Sequence, residues 1–386
     1  MATEQVSRWD ALDVLRGLCI VGMLLNMNPG SWERGYDWLT HARWEGGTLI
    51  DMVAPGFLFC IGVALPLSLQ RRFAKGASRS ELLNHVLVRS AVLVVLGFLL
   101  NLYPNFDFSH VRVPSVLSRI GLCYGIVATL VVLTTRADEP RALRIRPVLL
   151  GGVALFILIS YWLLLFAVPV PGFGAPRFDP VGSWPAVIDR ALIGTNHMFA
   201  YWPVDGQVVF DPEGILSTYP ACFNVLFGVI VGLGFSRWSL RQPALIAVVT
   251  GAAMLLIALL LRGVCPIIKN LWTSTFALFS SGFALVTLGV LMPVSNRNGV
   301  RQLLFPTRIF GENPLLAYIL CWLIGPLLDI AWLGNEVPVS LRIAGQDWFS
   351  RFFEPALASL LFGVCSLLVV FAVLLVCHRK RWILRL

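Results

Sequence analysis

The chain has 386 residues, of which 57% are hydrophobic and 13% charged, with a formal net charge of +9 and 13 tryptophans. That balance excludes an ordinary soluble domain and predicts an all-α polytopic membrane protein, with one transmembrane domain over residues 1–386 and no room for a separate soluble one. A span needs ~20 mostly apolar residues to cross ~30 Å of hydrocarbon, and such runs recur along the whole length.

In chain order the spans are expected at Leu12–Met27, Thr48–Leu69, Leu83–Tyr103, Val116–Thr134, Val148–Val168, Ile215–Phe235, Ala244–Leu261, Thr275–Val294, Gly311–Leu333 and Pro355–Val376, about ten in all. The first opens on Asp10, Asp13 and Arg16 instead of a basic stretch and lacks a small-residue cleavage site, so it reads as a retained helix and not a signal peptide. Basic clusters follow spans two (Arg71, Arg72, Lys75, Arg79), four (Arg136, Arg141, Arg144, Arg146) and eight (Arg297, Arg301, Arg308), and the tail reads His378-Arg379-Lys380-Arg381. If the spans alternate, all of these lie on one side, which puts both termini in the cytoplasm. The positive charge is then a topology signal, and no nucleic-acid partner is needed to explain it.

The eight cysteines are scattered without a C-x-x-C pair, which fits packing residues better than a disulfide framework or a zinc site, and no metal is expected. The external side carries more sequence than its turns require. Residues 169–214 are rich in Pro, Gly and aromatics, and end in Asp211-Pro212-Glu213-Gly214; they form either an ordered lid or an interfacial belt.

Ionisable groups at membrane depth are paired, snorkelling or used. Asp13 and Arg16 are spaced to pair on one helix face, Asp51 and Arg119 enter their spans from the outside, and Arg89 can snorkel to the cytosolic interface. Of the five histidines, His41 differs in its company. It lies in the polar loop Asn26–Gly47, with Trp38, Arg43, Trp44 and Asp51 near in the chain. An imidazole beside a carboxylate is what general-base chemistry at neutral pH requires; the plain alternative is a solvated loop histidine.

Six stretches, "ALDVLRGLCIVGMLLNMNPG", "LTHARWEGGTLIDMVAPGFLFCIGVAL", "VRVPSVLSRIGLCYG", "FDPEGILSTYPACFNVLFGVIVG", "IIKNLWTSTFALFSSGFAL" and "FGENPLLAYIL", give the chain a family resemblance from Ala11 to about Leu320. In that order they resemble a bacterial member of the heparan-alpha-glucosaminide N-acetyltransferase family, whose enzymes move acetyl from cytosolic acetyl-CoA across the membrane to a glucosamine amine. The resemblance implies catalytic roles for His41 and Asn26, and a cavity lined by Trp44, Asp51, Asp211, Glu213, Trp272 and Ser274. It also implies acetyl-CoA contacts at Asp13, Arg16, Arg119, Arg308 and Asn313. Asp51 or Glu213 would orient His41 or hold an amino sugar's ammonium. The family further implies an amino-sugar acceptor, a homodimer among membrane lipids, and the bacterial inner membrane.

Three departures stand out. The animal enzymes' lumenal N-terminal domain is expected to be absent, Ser118 stands where Gln is common, and Glu312 replaces an apolar residue, where it would repel CoA phosphates unless a base such as Arg308 neutralises it. Two readings of other classes stay open. One is an amino-sugar permease, for which Pro55-Gly56, Pro66 and Pro326 supply helix breaks; the other is a structural protein with a degenerate site.

Overall fold

A computed structural model describes residues 2–139, 142–235, 241–295, 297, 299–333 and 339–384. Helices dominate: α1 (Ala2–Met27), α2 (Val53–Ala74), α3 (Arg79–Leu102), α4 (Val116–Thr134), α5 (Pro147–Ala167), α6 (Trp184–Leu192), α7 (Ile215–Phe235), α8 (Arg241–Leu261), α9 (Ser274–Val294), α10 (Val300–Leu303), α11 (Phe305–Glu312), α12 (Pro314–Asp329), α13 (Leu341–Ser350) and α14 (Pro355–Arg379). Among the described residues the strands pair antiparallel in two short sheets, Arg136–Glu139 with Ala142–Arg144 and Ala331–Leu333 with Val339–Ser340.

Among the described residues eight helices are long and apolar enough to cross a membrane, and nine if α11 and α12 together make one broken span. The protein is an all-α polytopic membrane protein. Charge keeps α1 out of that set, although its 26 residues are long enough to span. Two of the expected spans differ in form. The first helix starts at Ala2, well before Leu12. The run Gly311–Leu333 is interrupted at Asn313, where α11 and α12 meet at 90°. Pro314 at the start of α12 lacks the N–H that a continuous helix would use there.

Local sequence explains the other ends. Ser78 and Glu81 form a reciprocal capping box that starts α3. Ser115 caps α4 by accepting from the Ser118 N–H at 3.0 Å, an arrangement typically worth about 1 kcal/mol.

The chain divides into two compact units. One holds Met1–Arg43, Gly47–Phe57 and Thr287–Leu386; the other holds Trp44–Gly46 and Leu58–Val286. In the first unit Ile20, Leu24, Ile309, Phe310, Ala317, Cys321, Val370 and Leu374 form a buried core from α1, α11, α12 and α14. Here α1 and α11 touch backbone to backbone: a Cβ on Gly311 would lie 2.0 Å from the Asp13 carbonyl oxygen, so only glycine fits. In the second unit α2 and α7 approach in the same way, with Gly62 against the Val225 carbonyl. There the segment between α5 and α7 folds onto itself. It contributes α6 and a small core of Ala186, Val209 and Phe210, against which Trp44 and Trp202 pack.

Candidate active site

Asn26 occupies the last turn of α1, and the following Asn28-Pro29-Gly30 leads the chain out of the helix. The loop returns through a single turn of 3-10 helix at Asp37–Leu39, passes His41, and winds into α2 by a second such turn at Ile50–Met52. Asp51 lies in that second turn with its side chain fully buried. A carboxylate at a helix N-terminus sits in the favourable end of the helix dipole. The Ala42 and Thr48 N–H groups donate to Asp51 Oδ2 at 3.1 and 2.9 Å. The Thr48 hydroxyl donates to the Thr40 carbonyl at 2.7 Å and ties the two sides of the loop together.

These contacts leave Asp51 Oδ1 to His41 Nδ1, 2.7 Å away. The ring's other nitrogen, Nε2, lies 3.1 Å from Asn26 Nδ2. Asp51 accepts only, so it selects the tautomer with the proton on Nδ1; Nε2 is then an acceptor for the Asn26 amide. The His41 side chain keeps 25% of its surface exposed, enough for a reactant to reach it. A carboxylate that orients a histidine, with an amide donor beside the ring's other nitrogen, can take a proton, accept an acyl group, or stabilise an oxyanion. Asp51 holds the His41 ring by its bond to Nδ1.

Glu213 belongs to the second unit, where Arg112 binds Asp211 through two parallel hydrogen bonds of 2.9 and 2.6 Å and also donates to Glu213. Burial alone would lower the Arg112 pKa, but Asp211 and Glu213 raise it above the usual arginine value. Burial likewise opposes ionised Glu213, yet Arg112, then Arg119 and Lys269, pull its carboxyl down to about 2. Asp211 also accepts from the N–H groups of Phe199 and Glu213 at 2.9 and 2.8 Å, so its work is to hold the loop ahead of α7.

Arg119 is buried over the Trp272 ring, 4.7 Å from guanidinium carbon to ring centre. It donates to Ser217 Oγ and the Gly214 carbonyl, while its Nε and Nη1 have no hydrogen-bond partner among the described residues. Trp272 donates to Asn224 Oδ1 at 2.9 Å, and Ser274 donates to the Leu158 carbonyl at 2.7 Å. Trp44 donates to the Phe178 carbonyl at 2.8 Å and packs edge-on against Phe210.

The remaining expected residues lie in the first unit. Asp13 and Arg16 pair at 3.1 Å, and Arg16 also donates to the Gly311 carbonyl. Arg308 bonds Asp10 at 2.6 Å and not Glu312, which instead accepts from His378 Nδ1 at 2.7 Å. Asn313 binds the chain's own tail, donating to the Trp382 carbonyl and accepting from the Leu384 N–H. Sequence reasoning passed over Arg112 and Asn224; both lie inside the quoted stretches, but their partners are about 50 to 100 residues distant, so no local spacing marks them.

Two curated relatives align along most of the chain. The heparan-alpha-glucosaminide N-acetyltransferase of Homo sapiens is 29% identical over 354 residues, which cover 81% of this chain and 52% of the relative. This chain is a homologue of the heparan-alpha-glucosaminide N-acetyltransferases. The protein of that name from Mus musculus is 29% identical over 357 residues, covering 82% of this chain and 53% of its own length. The chain thus spans about half the length of the N-acetyltransferases it matches. No family model matches it.

Proposed function

We propose that the protein is a transmembrane acetyltransferase that moves acetyl from cytosolic acetyl-CoA to an amino sugar, such as glucosamine, N-acetylglucosamine or a cell-wall sugar, on the periplasmic side. The observation that carries this reading is the Asp51–His41–Asn26 chain of hydrogen bonds at the outer end of α1. In the direct form of the reaction the acceptor amine or hydroxyl attacks the thioester carbonyl and gives its proton to His41 Nε2. The carbonyl electrons rest on the oxyanion, to which the Asn26 amide donates, and return as the carbon–sulfur bond breaks. The proton on His41 then passes to the departing thiolate. In the alternative form Nε2 attacks the thioester carbonyl and expels the CoA thiolate; the acceptor amine or hydroxyl then attacks the acetyl carbon, the Nε2–carbon bond breaks, and the acceptor's proton passes by way of the freed Nε2 to the thiolate. We assign contacts with the donor to Asp13, Arg16, Arg119, Arg308 and Asn313, the residues that the family resemblance implies. We place the protein in the bacterial inner membrane, as a homodimer with both termini cytoplasmic.

The 90° break between α11 and α12 favours a second reading, an amino-sugar permease, because broken helices are a device of transporters. Proteoliposomes distinguish the two. With labelled acetyl-CoA outside and glucosamine enclosed, the acetyltransferase deposits labelled acetyl on the enclosed sugar. Movement of labelled glucosamine without acetyl transfer would support the permease instead.

A further inference from the structure

Helix α13 turns its polar side chains inward and its large apolar ones outward. Leu341, Ile343 and Trp348 are exposed, joined just past its end by Phe352 and Phe353, whereas Arg342 and Gln346 are buried. A helix on a watery surface does the reverse. The buried polar groups are all engaged with the helix ends around them. Arg342 Nε and Nη2 donate to the two carboxylate oxygens of Asp329, at 2.5 and 3.1 Å, which ties α13 to the end of α12. Its Nη1 donates to the Pro29 carbonyl at 2.5 Å, and the guanidinium lies over the Trp32 ring, 4.5 Å from carbon to ring centre. Trp32 Nε1 in turn donates to the Asn26 carbonyl at 3.3 Å. Gln346 donates to the Pro355 carbonyl at 3.1 Å, at the start of α14. The inner face of α13 thus holds the stretch by which the chain leaves α1 against the ends of α12 and α14.

What covers the outer face follows from its depth. The apolar run of α14 ends at Cys377, before His378 and Arg379. Counting back ~20 residues, the length that crosses ~30 Å of hydrocarbon, reaches Ala358. Phe352 and Phe353 therefore stand about a turn and a half beyond the hydrocarbon, at the level where Trp and other aromatic rings collect at a membrane boundary. Asp347 and Arg351, exposed beside the patch, suit that layer and would be costly any deeper. The patch also runs on in the chain into α14, most of whose residues face outward. A helix at this depth with its apolar side turned away from the protein has the form of a segment lying in the membrane surface. We propose that α13 is an interfacial helix, with Leu341, Ile343, Trp348, Phe352 and Phe353 in the headgroup–acyl boundary of the bilayer, and that Arg342 on its inner face anchors the exit of α1 to that surface. The partner is the lipid boundary itself; Asp347 and Arg351, of opposite sign, select no headgroup charge. The proposal goes beyond the acetyltransferase reading and does not depend on it.

The test uses the full chain in phosphatidylcholine nanodiscs, with a nitroxide label on Ile343→Cys or, separately, Trp348→Cys. Each is made in a Cys365→Ala background, since Cys365 is the exposed thiol of the eight. Power-saturation resonance compares collisions with oxygen, which concentrates in lipid, and with a neutral nickel chelate, which stays in water. At both positions the ratio of oxygen to nickel collisions is expected to be about twofold or more above that of a label on Glu33→Cys, an exposed site in the polar loop. A ratio equal to that at Glu33 would put the face in water, and low collision rates with both reagents would put it under protein, such as a second copy; either result would overturn the proposal. The anchor is read from the mobility of the Glu33→Cys label, next to Trp32. That label is expected to tumble about twofold faster or more when Arg342→Gln is added, and likewise with Trp32→Leu, which removes the stack at an exposed residue and leaves the buried network intact. Unchanged mobility in both, in variants that elute as wild type, would overturn the anchoring.

Discussion

The histidine at the end of α1 draws its chemistry from what holds it. Asp51 is fully buried, accepts from two backbone N–H groups, and turns its remaining oxygen to His41 Nδ1. Asp51→Asn keeps the shape but lets an amide compete for Nδ1, favouring the wrong tautomer. We expect kcat to fall by about 10²-fold or more with a much smaller change in KM, read from steady-state acetyl transfer. A second residue makes a pH prediction. Asp189 of α6 is buried, accepts from the Ile215 N–H at 2.9 Å, and has its other oxygen without a partner among the described residues. Burial raises its carboxyl to about 7 against an ordinary 3.8. A raised folded-state pKa means that the stabilisation is complete below about 4 and is lost as pH climbs through about 7. Asp189→Asn is therefore expected to raise the melting temperature at pH 8 relative to wild type and to flatten its fall between pH 4 and 7; an unchanged profile would remove Asp189 from the account. At this scale the sequence displayed His41, Asn26 and Asp51 because they fall within one loop and its flanking helix ends. It hid Arg112, whose partners Asp211 and Glu213 lie about a hundred residues on.

Helices were legible where hydrophobicity alone decides them, and their breaks were not. Val116–Thr134 and Ile215–Phe235 are helical over the expected residues. Gly311–Leu333 read as one span because its apolar run is continuous, whereas the backbone turns at Asn313-Pro314, and only the tail's hydrogen bonds to Asn313 explain what occupies the corner. The glycines at helix crossings were equally silent in sequence. Gly17 faces the Thr307 carbonyl so closely that an added Cβ would lie 1.7 Å from the oxygen. Gly17→Ala must push α1 off α11, and such overpacking typically costs about 1–3 kcal/mol. A lower melting temperature in detergent is expected; Gly151→Ala, with open space around it, is the control that should leave it unchanged.

For the whole molecule, composition sufficed to establish a polytopic helical membrane protein, since no soluble fold tolerates so many long apolar helices. The proposed sidedness rests on the basic clusters and on the parity of spans, with α1 and the broken pair each counted as a crossing. Tags at the N- and C-termini are therefore expected to be protected from protease added outside intact spheroplasts, while a tag in the loop 28–49 is cleaved. Cleavage of either terminus would invert the orientation assigned to the site. What the sequence could not supply was the grouping of expected site residues into two compact units, His41, Asn26 and Asp51 in one, and Arg119, Asp211, Glu213 and Trp272 in the other, because it arises from helix packing and not from order along the chain.

The most direct test of the central claim, that His41 carries acetyl transfer, is thiol release from acetyl-CoA by the purified full-length protein, with and without glucosamine, in wild type and His41→Ala. The account predicts release that glucosamine stimulates and that His41→Ala abolishes, although the variant elutes and melts as wild type does. Equal, acceptor-stimulated release from the variant would contradict it.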